Sequence, residues 1–329
     1  MRPDSEAVVV WLRVFAAYAA VLALALTLNF ALPRLAPGDP LGFLLPEDVL
    51  AEMSVEDQAR VLAEFGLDKP VAAQFADYVT GIFSGDLGIS LRYGAPVWEV
   101  VAERLPWTLL LMGWALAFSA LLGTALGVVA ARRSGQMRDI GTTVLVLAIG
   151  SAPVFWVAML LITLFSAQLG WLPSFGAVPL MAVPGSWGYV VGVAERLILP
   201  VTALTIAQTA GVWLTARSAM AVALSRDYIT VARAKGVPER AVFWRHALRN
   251  AALPIYTNVT IGLGGLLGGA LVVETVFSWP GIGQLIVQGV EARDYNLLQG
   301  VFLVATLSVV AANLLADLTY PFIDPRVRR

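Results

Sequence analysis

Residues 8–32 read VVVWLRVFAAYAAVLALALTLNFAL, a run whose one charged member is Arg13. A helix needs about 20 mostly apolar residues to cross the hydrocarbon core of a membrane. The run exceeds the apolar core of a signal peptide, about 7–15 residues, and no small-x-small cleavage site follows, so we interpret it as a retained first span. Comparable apolar runs occupy roughly residues 9–32, 107–131, 140–167, 197–216, 251–273 and 298–320. The sequence therefore predicts an all-α integral membrane protein with about six transmembrane helices.

The composition agrees with a lipid environment and excludes several kinds of chemistry. Charged residues make up 14% of the chain and hydrophobic residues 58%, whereas soluble domains carry about 25% charged residues. With no cysteine and a single histidine, His246, the chain lacks the ligands of a thiolate or histidine metal site. Lys69 and Lys235 precede proline and glycine, so neither belongs to a phosphate-binding G-x-x-x-x-G-K-[ST] loop. We expect no metal and no cofactor in this chain, lipid around it, and no nucleic-acid partner.

Basic residues are concentrated in segments that six spans would place on one side of the membrane. They lie near the N-terminus, in two connecting loops and in the C-terminal tail: Arg2, Arg13, Arg132, Arg133, Arg138, Arg217, Arg226, Arg233, Lys235, Arg240, Arg245, Arg249, Arg326, Arg328 and Arg329. Because short cytoplasmic connections are enriched in Lys and Arg, we expect both termini to be cytoplasmic.

The same reasoning divides the chain into four parts. Residues 1–33 form the first span, and residues 34–104 form a small extracytoplasmic subdomain with twelve acidic and five basic residues. Within the subdomain, Ser54 and Asp57 resemble a capping box before a short helix, and a second helix is expected over 71–83, stopped by Gly85. Residues 105–323 form a five-helix core with a cytoplasmic loop at 217–250, and residues 324–329 form a cytoplasmic tail. A short amphipathic helix that does not cross the membrane is expected within 278–296.

The most informative segment is SRDYITVARAKGVPERAVFWRHALRNAALP, residues 225–254. Its pattern predicts two short helices joined by an elbow, because Gly236 permits a sharp turn and Pro238 suits the start of a second helix. On that second helix, helical spacing predicts one face formed by Ala241, Trp244 and Leu248. Such a loop suits docking into a groove on a cytosolic partner. The alternative is a basic loop held against anionic lipid.

This loop resembles the signature loop of ABC-importer permeases, E-A-A-x-x-x-G with a downstream L-P, here with Thr230 and Val231 in place of the leading Glu and Ala. The longer run DYITVARAKG…RHALRNAALP resembles the dipeptide/oligopeptide/nickel permease family. Further matching segments follow in the same order along the chain: APGDP (36–40), GLDKP (66–70), GDLGIS (85–90), APVFW (152–156), LGWLP (169–173), ETVFSWPGIG (274–283) and DPRVR (324–328).

The resemblance implies a type I ABC importer permease fold that forms half of a translocation pathway. Its partners would be a second permease in a heterodimer, two cytosolic ATPases that hold ATP and Mg, and an extracytoplasmic substrate-binding protein, in a bacterial or archaeal inner membrane. The cargo would be di- or oligopeptides, with nickel or other metal chelates or glycosides as the alternative. The residues carried over to the ATPase-coupling loop are Asp227, Tyr228, Ala232, Ala234, Lys235, Gly236, Arg240, Arg245 and His246.

Several other residues allow two interpretations. The G-x-x-x-G pairs indicate close helix packing or a smooth pathway surface: Gly123 with Gly127, Gly264 with Gly268, and Gly265 with Gly269. Pro153 would break or kink the third span and could shape the pathway. Glu274 and Asp317 are acids near helix ends, for which end solvation or packing is the simpler explanation. An intramembrane protease is disfavoured because the only histidine, His246, lies in a loop, and a passive channel would not need the elbow.

Overall fold

The computed structural model describes residues 3–35, 47–64, 68–264 and 270–323, which are almost entirely helical. The helices are α1 (Pro3–Leu35), α2 (Glu47–Glu52), α3 (Val55–Glu64), α4 (Val71–Ser84), α5 (Val97–Ala130), α6 (Met137–Gly150), α7 (Val154–Leu161), α8 (Trp187–Leu224), α9 (Asp227–Ala234), α10 (Glu239–Ala241), α11 (Leu248–Gly264), α12 (Leu271–Val276), α13 (Ile282–Glu291) and α14 (Tyr295–Ile323). A 3₁₀ turn (Ala131–Arg133) follows α5, and π-helical turns follow α7 (Ile162–Gln168) and α10 (Val242–Ala247). In these ranges there is no strand, and one isolated antiparallel bridge joins Ile89 to Pro96.

Three of the described helices are long and apolar enough to cross a membrane, namely α5, α8 and α14, and the bent pair α6–α7 could form a fourth span. Among the described residues the predicted apolar runs fall largely on helices, but α8 covers 38 residues where 197–216 was predicted. The apolar run stops at Arg196 and Arg217, whereas the helix continues through both residues. Arg217 pairs with Asp139, and Arg196 Nη1 donates to the Gly192 carbonyl one turn earlier. The fifth predicted run is not one continuous described helix, because α11 ends at Gly264 and α12 begins at Leu271. The intervening residues 265–269 and the predicted tail 324–329 lie outside the described residues.

The predicted break at Pro153 is present in the third span. Pro153 is the N-cap of α7, with φ −57° and ψ 131°, and the helical segments on either side of residues 151–153 differ in direction by 85°. Proline cannot donate a backbone hydrogen bond and disfavours a helical conformation in the residue before it, so the helix ends and restarts in a new direction.

The chain divides into two compact units, one of residues 1–106 with 285–310 and the other of residues 107–284 with 311–329. In the first unit, the two short helices predicted in the 34–104 segment are confirmed. The Asp57 amide donates to Ser54 Oγ at 3.1 Å at the start of α3, and α4 ends at Gly85 with φ 76°.

The first unit also contains a buried carboxylate that caps a long helix. Asp294 is fully buried and accepts hydrogen bonds from Ser90 Oγ at 2.5 Å, the Arg92 amide at 3.1 Å and the Leu297 amide at 3.0 Å. It therefore satisfies the first turn of α14 and holds the loop of residues 88–95 against that turn.

The second unit has two hydrophobic cores. One surrounds Trp279 and draws on α5, α7, α8 and α12, and the other joins the ends of α5 and α8 to α9 and α11. Between α5 and α8, a Cβ on Gly123 would lie 2.7 Å from Val212 Cβ, and one on Gly127 would lie 2.5 Å from the Trp213 carbonyl oxygen. This G-x-x-x-G pair therefore permits close helix packing, as glycine pairs do in membrane helices.

Candidate coupling loop

The elbow at Gly236 is a hydrogen-bonded helix end followed directly by a new helix start. The Gly236 amide donates to the Arg233 carbonyl at 2.9 Å and the Val237 amide to the Ala232 carbonyl at 3.2 Å. This pair of bonds is a Schellman motif, which requires a left-handed residue at its turn. Gly236 supplies it with φ 76°. Pro238 is the N-cap of α10, so the second arm begins at Glu239, three residues after Gly236.

One side-chain pair bridges the two arms of the elbow. Arg233 Nε lies 2.6 Å from Glu239 Oε1, and Arg233 Nη2 lies 3.2 Å from Glu239 Oε2. This hydrogen bonding lowers the pKa of Glu239 and raises that of Arg233. Because both side chains are largely exposed, the pair defines the geometry of the elbow more than it stabilises the fold.

The inner face of the first arm is anchored in a hydrophobic core. Ile229 and Ala232, one turn apart on α9, are buried against Met220 on α8 and against Val242 and Phe243 of the π turn. Spacing of three residues places Ile229 and Ala232 on the same face of the helix. The first arm is therefore fixed to the ends of the spans and is not a free loop.

The second arm continues without interruption into α11. From Glu239 the chain is helical through α10, the π turn and α11 to Gly264. The buried face of the second arm is formed by Val242, Phe243 and Ala247, whereas Trp244, on the predicted face of Ala241, Trp244 and Leu248, is 44% exposed. A π turn bonds i to i+5 and rotates the following side chains away from the α-helical spacing on which the prediction relied.

The outer face of the first arm is exposed and mixed in character. Tyr228 is 37% and Val231 51% exposed, at a spacing of three residues. The structure places the remaining predicted coupling residues as follows: Asp227, Ala234, Lys235, Gly236, Arg240 and Arg245 are exposed, Ala232 is buried and His246 is half-buried.

The other predicted pathway residues are only partly described. Pro153 starts α7, and Gly264 is the last residue of α11, while Gly265, Gly268 and Gly269 lie outside the described residues. In the part of the chain that the structure covers, no group of three or more His, Cys, Asp or Glu side chains is placed to share a metal ion.

Two interactions near the loop were not anticipated. Arg217 on α8 makes a bidentate ion pair with Asp139 on α6, with Nε to Oδ1 at 2.7 Å and Nη2 to Oδ2. The Arg132 guanidinium lies 4.3 Å from the Phe243 ring centroid and 5.6 Å from that of Trp244. Both join residues 78 or more positions apart, so no local pattern indicates them.

Glu274 proves to be a buried helix cap, so of the two simpler explanations packing is confirmed and end solvation is wrong. Its side chain is fully buried. Its carboxylate accepts from Thr108 Oγ1 at 2.7 Å and from the Gln284 amide at 3.0 Å, and the Ile282 amide donates to Thr108 Oγ1 at 2.7 Å. The Glu274 and Thr108 side chains together accept hydrogen bonds from two backbone amides in the first turn of α13.

A helical, multi-pass membrane chain with an anchored, elbowed loop is the architecture of a transporter permease subunit. The chain belongs to the family of binding-protein-dependent transport system inner membrane components, whose model matches residues 123–329. It is therefore an inner-membrane, non-catalytic permease subunit, in a family that works with ATPase and substrate-binding partners. This confirms the resemblance seen in the sequence.

Individual relatives extend the match over most of the chain. The dipeptide transport system permease protein DppB of Escherichia coli K12 is 38% identical over 319 residues, which is 92% of this chain and 93% of the relative. The di/tripeptide transport system permease protein DppB of Pseudomonas aeruginosa is 38% identical over 318 residues, with the same coverage. A chain of the inward-facing MetNI methionine ABC transporter superposes with a TM-score of 0.56 at 17% identity, covering 68% of this chain and 96% of that one. At that identity the likeness shows the permease fold alone.

Proposed function

We propose that this chain forms half of the translocation pathway of an ATP-driven importer of di- and oligopeptides, and that it works by alternating access between outward and inward openings. The observation that carries the proposal is the elbow at Gly236, whose first arm is anchored in the core by its inner face and whose second arm continues into α11. Displacement of the elbow would therefore move a long helix of the core directly. The peptide relatives support the choice of cargo.

The outer face of α9 is the surface that we assign to the ATPase. Val231 and Lys235 share this face with Tyr228, which also borders the cavity between α8 and α11, and the small Ala234 lets a partner approach the backbone beside Gly236. A short helix presented to a groove is a common recognition mode. ATP and Mg would be held by two cytosolic ATPase subunits, since this sequence contains no phosphate-binding loop of the G-x-x-x-x-G-K-[ST] type.

A groove in the second unit is our candidate for the pathway wall. A cavity of about 650 Å³ lies between α8 and α11 and has a largely apolar lining that also carries Thr215, Ser218 and Asn250, with Arg226 and Tyr228 at the start of α9. The Asn258 amide donates to Thr215 Oγ1 at 3.2 Å. Exposing polar side chains to lipid carries a free-energy cost. We therefore expect this face to contact a partner permease and a water-filled pathway. Uncharged hydroxyl and amide groups can bond peptide backbone irrespective of its sequence, which leaves cargo selection to the binding protein.

The remaining partners follow from this placement. The elbow and both termini would be cytoplasmic, and the 34–104 segment would face outward, where it would meet the binding protein. The second permease would be a distinct homologous subunit, giving a heterodimer.

Purification of the tagged chain from its native membrane, followed by identification of the proteins that accompany it and of the ligand in the binding protein, tests this proposal. We expect two ATPases, a second permease and a peptide-loaded binding protein. A metal chelate or glycoside in the binding protein would overturn the peptide assignment alone. A chain that purifies alone, in detergent that preserves other transporters, would overturn the importer assembly.

A further inference from the structure

A second cavity, of about 630 Å³, lies beside the elbow and is rich in positive charge. It is lined by Arg132, Leu224, Arg233, Glu239, Arg240, Phe243 and Trp244. Glu239 is already engaged by Arg233 at 2.6 Å. In the described part of the chain, neither Arg132 nor Arg240 has a carboxylate within ion-pair distance. The cavity therefore holds two guanidinium groups whose charge is uncompensated.

The position of the cavity is set by the end of a membrane-spanning helix. The apolar run of α5 continues to Ala131, and Arg132 is the first charged residue after it. Because α5 is apolar enough to span a membrane, Arg132 stands where the span gives way to the lipid headgroup region. Leu224, the last residue of α8, supplies an apolar part of the same lining.

The lining combines tryptophan and arginine, two side chains that suit the headgroup region of a membrane. Trp244 is 44% exposed, and exposed tryptophans are enriched at membrane–water interfaces. Stacking on Phe243 and Trp244 orients the Arg132 guanidinium, which lowers the conformational entropy lost when it binds an anion. Guanidinium groups match the geometry of phosphate oxygens.

We propose that this cavity binds the headgroup phosphate of an anionic phospholipid, with Arg132 and Arg240 as the phosphate donors and Leu224 beside the acyl chains. The proposal requires only that the chain spans a membrane, and it holds for any cargo. It is compatible with ATPase docking on the outer face of α9, because Arg240, which the resemblance carried over to the coupling loop, lines this cavity instead.

Native mass spectrometry of the purified full chain, titrated with dioctanoyl phosphatidylglycerol, tests the proposal. We expect one tightly retained lipid, with binding weakened on the order of tenfold in Arg132→Gln and in Arg240→Gln, as expected for the loss of a charge-assisted contact. Arg249→Gln removes the same charge from an exposed position outside the cavity and should bind normally. Arg240→Gln keeps the test valid if Arg132→Gln fails to fold, because Arg240 is exposed on the surface.

Three results would overturn the proposal. Equal binding by all three variants would show that the cavity is not the site. Equal retention of dioctanoyl phosphatidylcholine would remove the requirement for a net anionic lipid. Competition by millimolar inorganic phosphate at the same site would identify a free anion as the ligand.

Discussion

Arg217 and Asp139 form a two-pronged ion pair in which the aspartate side chain is 1% exposed and the arginine side chain 19% exposed. The Gly135 amide also donates to this carboxylate, at 3.0 Å. The pair therefore ties the start of α6, and through Gly135 the loop before it, to α8, a few residues from the core that anchors the elbow.

Removing only one partner of this ion pair should lower the free energy of unfolding. Arg217→Met would leave the Asp139 carboxylate buried with only neutral donors, a change that typically costs about 3–5 kcal/mol. We expect a clearly lower unfolding temperature in detergent, measured by thermal denaturation. The double variant Arg217→Met with Asp139→Leu should recover much of the loss, and a double variant no more stable than the single one would contradict this account of the pair.

The packing of α5 on α8 predicts opposite results for two glycines on one helix. An alanine Cβ at Gly127 would lie 2.5 Å from the Trp213 carbonyl oxygen, whereas one at Gly113 would meet nothing within 4 Å. Gly127→Ala should force the helices apart and lower thermal stability. Gly113→Ala should be neutral or stabilising by about 0.5–1 kcal/mol, the usual helix preference for alanine. Similar unfolding temperatures for the two variants would contradict the close packing.

The elbow predicts a graded response at Gly236. Its φ is 76° and a Cβ there would meet no neighbour within 4 Å, so the cost of substitution is conformational and amounts to about 1–2 kcal/mol for ordinary residues. Asparagine tolerates left-handed backbone far better than a β-branched residue does. We expect Gly236→Asn to retain ATP-driven uptake and Gly236→Val to lose most of it while the chain still inserts. Equal uptake by the two variants would show that the turn is not needed for coupling.

The proposed pathway wall predicts that filling its cavity blocks transport. Ser218 is an exposed, small lining residue, so Ser218→Trp should reduce peptide uptake to near background without preventing assembly of the complex. Val144→Trp, at an apolar position on α6 that is 62% exposed, serves as the matched control and should transport normally. Normal uptake by Ser218→Trp would place the pathway elsewhere.

The features that sequence predicted correctly depend on neighbours within a few residues. The Ser54–Asp57 cap, the end of α4 at Gly85, the break at Pro153 and the elbow at Gly236 each depend on local backbone preferences. The span positions on α5, α8 and α14 also followed from composition, because a long apolar run has few alternatives.

What the sequence did not predict depends on contacts between distant segments. Helix packing brings together three pairs of side chains that are 78 to 166 positions apart in the sequence. These pairs are Asp139 with Arg217, Thr108 with Glu274, and Arg132 with Trp244. The buried face of the second arm was not predicted, because a π turn changes the angular spacing of side chains without any composition signal.

Cross-linking from α9 tests the central claim most directly. The chain has no cysteine, so Val231→Cys introduces a single thiol on the exposed outer face of the elbow, and Val55→Cys introduces one at an 82% exposed position in the proposed external segment. A thiol-to-amine cross-linker applied to the assembled transporter should join Val231→Cys to the ATPase in a manner that changes with bound ATP, and it should not join Val55→Cys to the ATPase. An ATPase cross-link from Val55→Cys, with none from Val231→Cys, would contradict both the coupling assignment and the proposed orientation.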